Sequence, residues 1–298
     1  MQQADQSVVE VRAPQPASPS SGHLFRQLEA LDLQEQSLLD QLRQTIAGYG
    51  RVCVAYSGGV DSALVAAIAH EQLGTAATAI TGVSPALAPH LLVEARQQAA
   101  WLGIRHREVA TAELTDPEYS SNPVDRCYAC KRELHRLLAP LAAAADGARV
   151  LDGVNADDLK DHRPGIQAAR EAGVESPLAA LGIRKAQVRE LSKALGFPWW
   201  DKPAQPCLAS RFPYGEAISA ERLQRVGQAE AWLIARGFHE VRVRSQGSAA
   251  RIEVPADRIA ELALHGDRGA LVDAFLALGF TAVSLDLEGL ISGKLNRS

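Results

Sequence analysis

A doubly wound α/β fold with a parallel sheet is predicted for residues 23–205, and a smaller α+β unit for residues 206–298. Three observations predict it. Short apolar runs alternate with amphipathic helical stretches, the pattern of a parallel sheet covered on both faces. A Ser/Gly turn joins the first of these runs to its helix. Beyond a proline-dense stretch around Cys207 the order changes to helix, hairpin, short helices and a last strand.

Residues 1–22 are rich in Ser, Pro, Gln and Ala, with little to bury, and read as a disordered tail. A helix is expected over LFRQLEALDLQEQSLLDQLRQTIA, with Leu24, Leu28, Leu31, Leu38, Leu39 and Leu42 spaced mostly three, four or seven apart. Gly48 and Gly50 end it. RVCVAY, TAATAITGV, IRHREVAT and ARVLDGVN read as strands. Between them DSALVAAIAHEQLG, HLLVEARQQAAWLG and CKRELHRLLAPLAAAA read as helices. Pro198, Pro203, Pro206 and Pro213 make the stretch around Cys207 an ordered loop. After it come the helix AERLQRVGQAEAWLIARGF, the strands EVRVRSQG and ARIEVP joined by a tight SQGS turn, two short helical runs and the strand TAVSLDLEG.

Composition bounds the function. The 298 residues are 47% apolar and 22% charged, the mix of a soluble globular protein, and 31 Lys plus Arg against 35 Asp plus Glu give a net charge of −4. That balance argues against a broad nucleic-acid surface. No apolar run is long enough to span a bilayer, and the N-terminus lacks the pattern of a signal peptide. A cytoplasmic location is expected, with no membrane partner. The four cysteines then read as thiols, metal ligands or catalysts rather than disulfides.

The first chemical signal is Ser57-Gly58-Gly59-Val60-Asp61-Ser62, between a buried strand and a helix. Glycines there let the backbone approach an anion, and the first-turn amides with the helix dipole favour phosphate. Ser57 and Ser62 add hydroxyls. Asp61 suits such a site only if a divalent cation stands between it and phosphate, which hints at Mg²⁺. Neither the Walker A loop nor G-x-G-x-x-G is present. A second cluster, Asp152 to Asp158 (DGVNADD), ends the fourth strand, where ligands of open α/β sheets sit; it reads either as part of the nucleotide site or as a solvated turn.

Cys53 lies within RVCVAY and reads as a small buried hydrophobe. Cys127 and Cys130 form a C-x-x-C at the start of a helix, where the helix N-terminus and Arg126, Lys131 and Arg132 favour thiolate. No second pair completes a zinc site. With Cys207 they make three thiols, enough to hold a 4Fe-4S cluster with one iron open; structural or adventitious thiols are the plain alternative. Arg242 and Arg244 alternate on one strand and face one side. Trp199 and Trp200 read as packing rather than stacking residues.

The string AYSGGVDSAL resembles the PP-loop of the ATP pyrophosphatase superfamily. At NPVDRCYACK, DGVNADDLKDHRPG and PAQPCLASRFPYG the chain resembles the LarE family, ATP-dependent sulfur transferases of that superfamily that help make a nickel-pincer nucleotide. The resemblance runs from about residue 24 to the C-terminus. It implies an adenine nucleotide α-hydrolase-like fold and, as cofactors, ATP, Mg²⁺ and a 4Fe-4S cluster. The implied substrate is pyridinium-3,5-biscarboxylic acid mononucleotide, adenylated and then converted to a thiocarboxylate; a homo-oligomer, trimer or hexamer, is implied with no nucleic-acid partner. It carries catalytic roles to Cys207, Cys127 and Cys130, and ATP binding to Ser57, Gly58, Gly59, Asp61, Ser62, Asp158 and Arg211. Lys131, Arg242 and Arg244 take substrate phosphate, and Glu230 and Glu253 match positions near a divalent metal. Two sulfur sources fit the family: a cluster on the three cysteines, or sacrifice of the Cys207 sulfur leaving dehydroalanine. A PP-loop tRNA thiolase, an ammonia-using synthetase and a non-catalytic nucleotide sensor with a structural metal knuckle are the rival readings.

Overall fold

In the computed structural model, residues 29–160, 163–291 and 293–294 are described; the expected tail, Leu24, Leu28 and positions 161–162 of the DGVNADDLKDHRPG string lie outside them. In chain order the longer elements are α1 (Leu33–Ala47), β1 (Val52–Ala55), α2 (Val60–Leu73), β2 (Ala77–Val83), α3 (Pro89–Leu102), β3 (Arg105–Ala110), α4 (Pro117–Ser120), α5 (Arg126–Ala144), β4 (Arg149–Leu151), α6 (Pro164–Glu171), α7 (Pro177–Ala180), α8 (Lys185–Ala194), α9 (Ala220–Ile234), β5 (Arg242–Gln246), β6 (Ala249–Glu253), α10 (Ile259–Ala263), α11 (Arg268–Ala277) and β7 (Ala282–Leu285). Two compact units result. The first takes residues through Ser84, Leu91–Glu113 and Cys127–Gln205; the second takes Pro85–His90, Leu114–Arg126 and residues from Pro206 on.

The first unit carries a parallel sheet in the order β3-β2-β1-β4. Strand alternation sorts its faces. Val52, Val54, Ala77 and Ala79 join the core under α1, α2, α3 and α8, while Cys53, Ala55, Ile80 and Val109 pack with Leu138 and Ala142 of α5. Helices therefore cover both faces, as an all-parallel sheet requires. The chain runs outward from β1 through β2 to β3, then returns to place β4 on the other side of β1. That reversal opens a crevice at the carboxyl ends of β1 and β4, the usual ligand position in such sheets. β4 gains a single parallel bridge, Leu151 to Glu175.

The first helix starts at Leu33, later than its leucine spacing predicts. Asp32 accepts from the Glu35 amide while the Glu35 side chain receives the Asp32 N–H, a reciprocal cap that fixes the start. In the second unit β5 and β6 form the expected antiparallel hairpin, and β7 joins β6 in parallel. Gly247 at its turn has φ +58°, which a side chain would strain. Among the described residues, no helix is long and apolar enough to cross a membrane.

Candidate functional site

The β1–α2 junction is a turn built from small groups. Gly58 has φ +70°, which a side chain would strain, and a Cβ there would crowd the Ala95 Cα and Cβ at 3.1 Å, so glycine is favoured on two counts. Hydroxyls tie the turn internally: Ser62 Oγ accepts from the Ser57 amide at 3.3 Å, Ser57 Oγ accepts from the Gly59 amide at 3.3 Å, and Ser62 Oγ donates to the Gly59 carbonyl at 3.1 Å. Gly59 caps α2 without a side-chain bond, and the first helical hydrogen bond is Ala63 N–H to Gly59 C=O. The amides before Ala63 lack an i−4 acceptor, so positive dipole and N–H groups converge on this turn.

The loop after β4 closes the other side of the crevice. A Cβ on Gly153 would come within 2.6 Å of the Ser62 nitrogen, so only glycine lets the two loops meet. Asn155 Nδ2 donates to Asp61 Oδ1 at 3.1 Å, and its backbone N–H donates to Asp158 Oδ2 at 3.1 Å. Asp158 also pairs with Arg163. Asp152 is buried, accepts from the Val154 amide at 3.1 Å, and has its pKa raised, mainly by burial. The Lys131 charge acts on Asp152 in the opposite direction, which brings the helix of Cys127 and Cys130 into the electrostatics of this crevice.

Lys185, absent from the sequence reading, is a central member. Its Nζ lies 2.5 Å from Asp61 Oδ2. It occupies the first position of α8, where a cation opposes the helix dipole; this anomaly is a sequence-level signal for a partner elsewhere. Lys202 is a second omission: it reaches the Gly58 carbonyl at 3.3 Å and Glu94 Oε2 at 2.5 Å.

His135, one turn beyond Lys131, is buried with neither ring nitrogen hydrogen-bonded, and burial with the Lys131 charge lowers its pKa to about 4. Cys127 is exposed and Cys130 half-buried at the start of α5. Cys53 is buried, and burial raises its pKa. Trp199 and Trp200 pack against the core; Trp199 meets Trp101 edge-on at 5.1 Å between centroids.

The second unit builds a different kind of site around Cys207. Cys207 is half-buried and caps a short turn of helix, Leu208–Arg211. The Leu208 amide donates to the Ala86 carbonyl at 2.8 Å. Arg211 and Glu230 form a buried two-point pair at 2.7 and 3.0 Å, and Arg211 Nη1 donates to the Pro206 carbonyl at 3.0 Å. Arg244 pairs with Glu253, whose residue is 0% exposed, and donates through Nη1 to the Ser210 carbonyl at 2.6 Å. Two buried ion pairs thus fix the turn carrying Cys207. Arg242 is half-buried without a hydrogen-bonded carboxylate among the described residues; burial, then Arg211 and Arg244, lowers its pKa.

This arrangement changes the expectations for Glu230 and Glu253. Both oxygens of Glu230 are taken by Arg211, one also by the Val243 amide, and Glu253 is taken by Arg244 and Arg251. They do not fit a divalent cation, because guanidinium groups already supply the positive charge. Arg211 and Arg244 are likewise committed to carboxylates rather than presented to an anion. Among the described residues, neither unit by itself gathers three His, Cys, Asp or Glu side chains that could hold a metal ion. Cys127 and Cys130 belong to the first unit and Cys207 to the second.

Comparison with known proteins adds kinship. A family model described as asparagine synthase matches residues 34–159, the segment from α1 through the Asp152 loop. A pyridinium-3,5-bisthiocarboxylic acid mononucleotide synthase of Lactiplantibacillus plantarum is 37% identical over 247 residues, 83% of this chain and 89% of that protein. The chain belongs to the PP-loop ATP pyrophosphatase family. An uncharacterized protein of Synechocystis is 55% identical over 262 residues, 88% of this chain and 98% of that protein. An uncharacterized protein of Methanocaldococcus jannaschii is 28% identical over 238 residues, 80% and 90% of the two chains. Membership of this PP-loop family implies that the chain binds ATP.

Proposed function

We propose that the chain is an ATP-dependent sulfur transferase that converts a carboxylate of pyridinium-3,5-biscarboxylic acid mononucleotide to a thiocarboxylate. The observation that carries this reading is the similarity to the L. plantarum synthase over 83% of the chain. The local chemistry supports it. A carboxylate resists attack because its leaving group is poor. Attack of its oxygen on the α-phosphorus of ATP expels pyrophosphate and leaves an acyl adenylate; sulfur attack on the acyl carbon then expels AMP.

The chain's residues take these parts. The first-turn amides of α2, with Ser57, Gly58, Gly59 and Ser62, hold the phosphates. Lys185 neutralises phosphate charge. Both oxygens of Asp61 are taken, by Lys185 and Asn155, so Asp61 holds that lysine at the loop rather than offering a free ligand to Mg²⁺; Mg²⁺ delivered with the nucleotide would screen the polyphosphate. Asp158 shapes the Asp152 loop through the Asn155 amide. Arg242 takes the phosphate of the substrate mononucleotide, and within the first unit the Lys131 charge acts on Asp152. Arg211 and Arg244 act by holding the Cys207 turn.

The sequence offers Cys127, Cys130 and Cys207 and no second C-x-x-C, a complement that suits a cluster with one open iron better than four-coordinate zinc. Cys127, Cys130 and Cys207 would hold a 4Fe-4S cluster, which supplies sulfide when bound. Anaerobic reconstitution with iron and sulfide quantification tests this; absorbance at about 400 nm together with thiocarboxylate product is expected. Stoichiometric conversion of Cys207 to dehydroalanine in cluster-free active enzyme assigns the sulfur to Cys207 itself. Retention of bulk tRNA on filters at modest salt would point instead to a base-modifying thiolase.

A further inference from the structure

We infer that Lys202 is a positioning residue for the nucleotide loop, holding the Gly58–Gly59 peptide so that the Gly59 N–H faces the polyphosphate. The inference rests on the ATP-binding role of that loop and not on the source of sulfur. Lysine side chains are rarely buried without a reason, and that of Lys202 is only 12% exposed. Its ammonium lies 3.3 Å from the Gly58 carbonyl oxygen and 2.5 Å from Glu94 Oε2. No cis peptide is present among the described residues, so the Gly58 C=O and the Gly59 N–H point in opposite directions across their shared plane. Anchoring the oxygen therefore aims the N–H to the other side, where it now donates to Ser57 Oγ at 3.3 Å.

The anchor matters because of what flanks it. A peptide between two glycines rotates with little steric resistance. Rotation would turn the Gly58 carbonyl, a negative dipole end, toward phosphate and withdraw a donor. Ala95 stops the loop moving sideways, since it already stands 3.1 Å from where a Gly58 Cβ would be, but it does not stop rotation of the peptide plane. The Lys202 hydrogen bond does. Glu94 in turn keeps the ammonium in place.

Calorimetric binding of a non-hydrolysable ATP analogue with Mg²⁺, and of adenosine, to wild-type, Lys202→Met, Lys202→Arg and Glu94→Gln proteins tests the role. Lys202→Met is expected to weaken the ATP analogue by about tenfold and leave adenosine unchanged, with a displaced Gly59 amide resonance before any ligand is added. Lys202→Arg restores most of the loss, and Glu94→Gln costs only about two- to threefold. Equal ATP affinity in Lys202→Met, or equal loss for ATP and adenosine, would overturn the inference in favour of a scaffold role. If Lys202→Met does not fold, Lys202→Gln is judged by the same criterion, and failure of both to fold also overturns it. Absence of ATP binding by the wild-type protein would remove the nucleotide reading and this inference with it.

Discussion

The glycine turn of the first unit and the Cys207 turn of the second are both held rigid, by opposite means. The first is made of backbone amides, small side chains and hydroxyls within six consecutive residues, with lysines reaching in from far along the chain. The second is held by long side chains, Arg211 to Glu230 and Arg244 to Glu253, buried out of water. An anion site needs close backbone approach and open N–H groups. A nucleophile needs a fixed position with its sulfur left accessible, which ion pairs behind it can supply.

Substitutions should separate these two designs. The largest effect falls on Cys207→Ser: thiocarboxylate formation drops by more than about a hundredfold while substrate-dependent pyrophosphate release continues, read by product and pyrophosphate assays on one sample. Pyrophosphate release lost in parallel would place Cys207 in activation instead. Next is Glu230→Gln, which strips the buried Arg211 of its counter-charge and should cost about 3–5 kcal/mol in denaturant unfolding. A change under about 1 kcal/mol would mean that the pair is solvated and the turn is fixed by other contacts.

A smaller effect is expected at Arg242. Arg242→Ala should raise the KM for the mononucleotide substrate by about tenfold with kcat and stability little changed, since no carboxylate loses a partner. An unchanged KM would leave Arg242 as part of a solvated strand face. The smallest effect at pH 7, and the most diagnostic, belongs to His135, whose contribution shows only toward acid pH. Its folded pKa of about 4 lies below the ordinary value of 6.5. Between those values the unfolded chain binds the extra proton, so stability is complete above about pH 6.5 and falls as the pH drops toward about 4. His135→Leu should remove that acid-side slope while leaving stability at pH 7 nearly unchanged, as urea titrations across this range would register. A slope that survives the substitution belongs to carboxylates such as Glu108, whose pKa the Arg96 hydrogen bonds hold down.

How much was legible in the sequence follows from how local each feature is. The strand, Ser-Gly-Gly turn and helix of the β1–α2 junction are contiguous, so spacing reveals them. The β5–β6 hairpin is equally local. The short helices α6, α7 and α8 were not read, because four to ten residues carry too little periodicity. Lys185 and Lys202 were missed because their partners stand 124 and 144 positions away along the chain. For Arg211, Arg244, Glu230 and Glu253 the sequence shows the residue types but not their pairing with one another. A sequence shows that charges are present without showing that burial has already paired them with each other.

The most direct test of the account follows two products at once: pyrophosphate and thiocarboxylate, from ATP and pyridinium-3,5-biscarboxylic acid mononucleotide, with anaerobically reconstituted protein. One pyrophosphate for each thiocarboxylate, and neither without the dicarboxylate, is the predicted result. ATP binding with no pyrophosphate released when the dicarboxylate is supplied would contradict it.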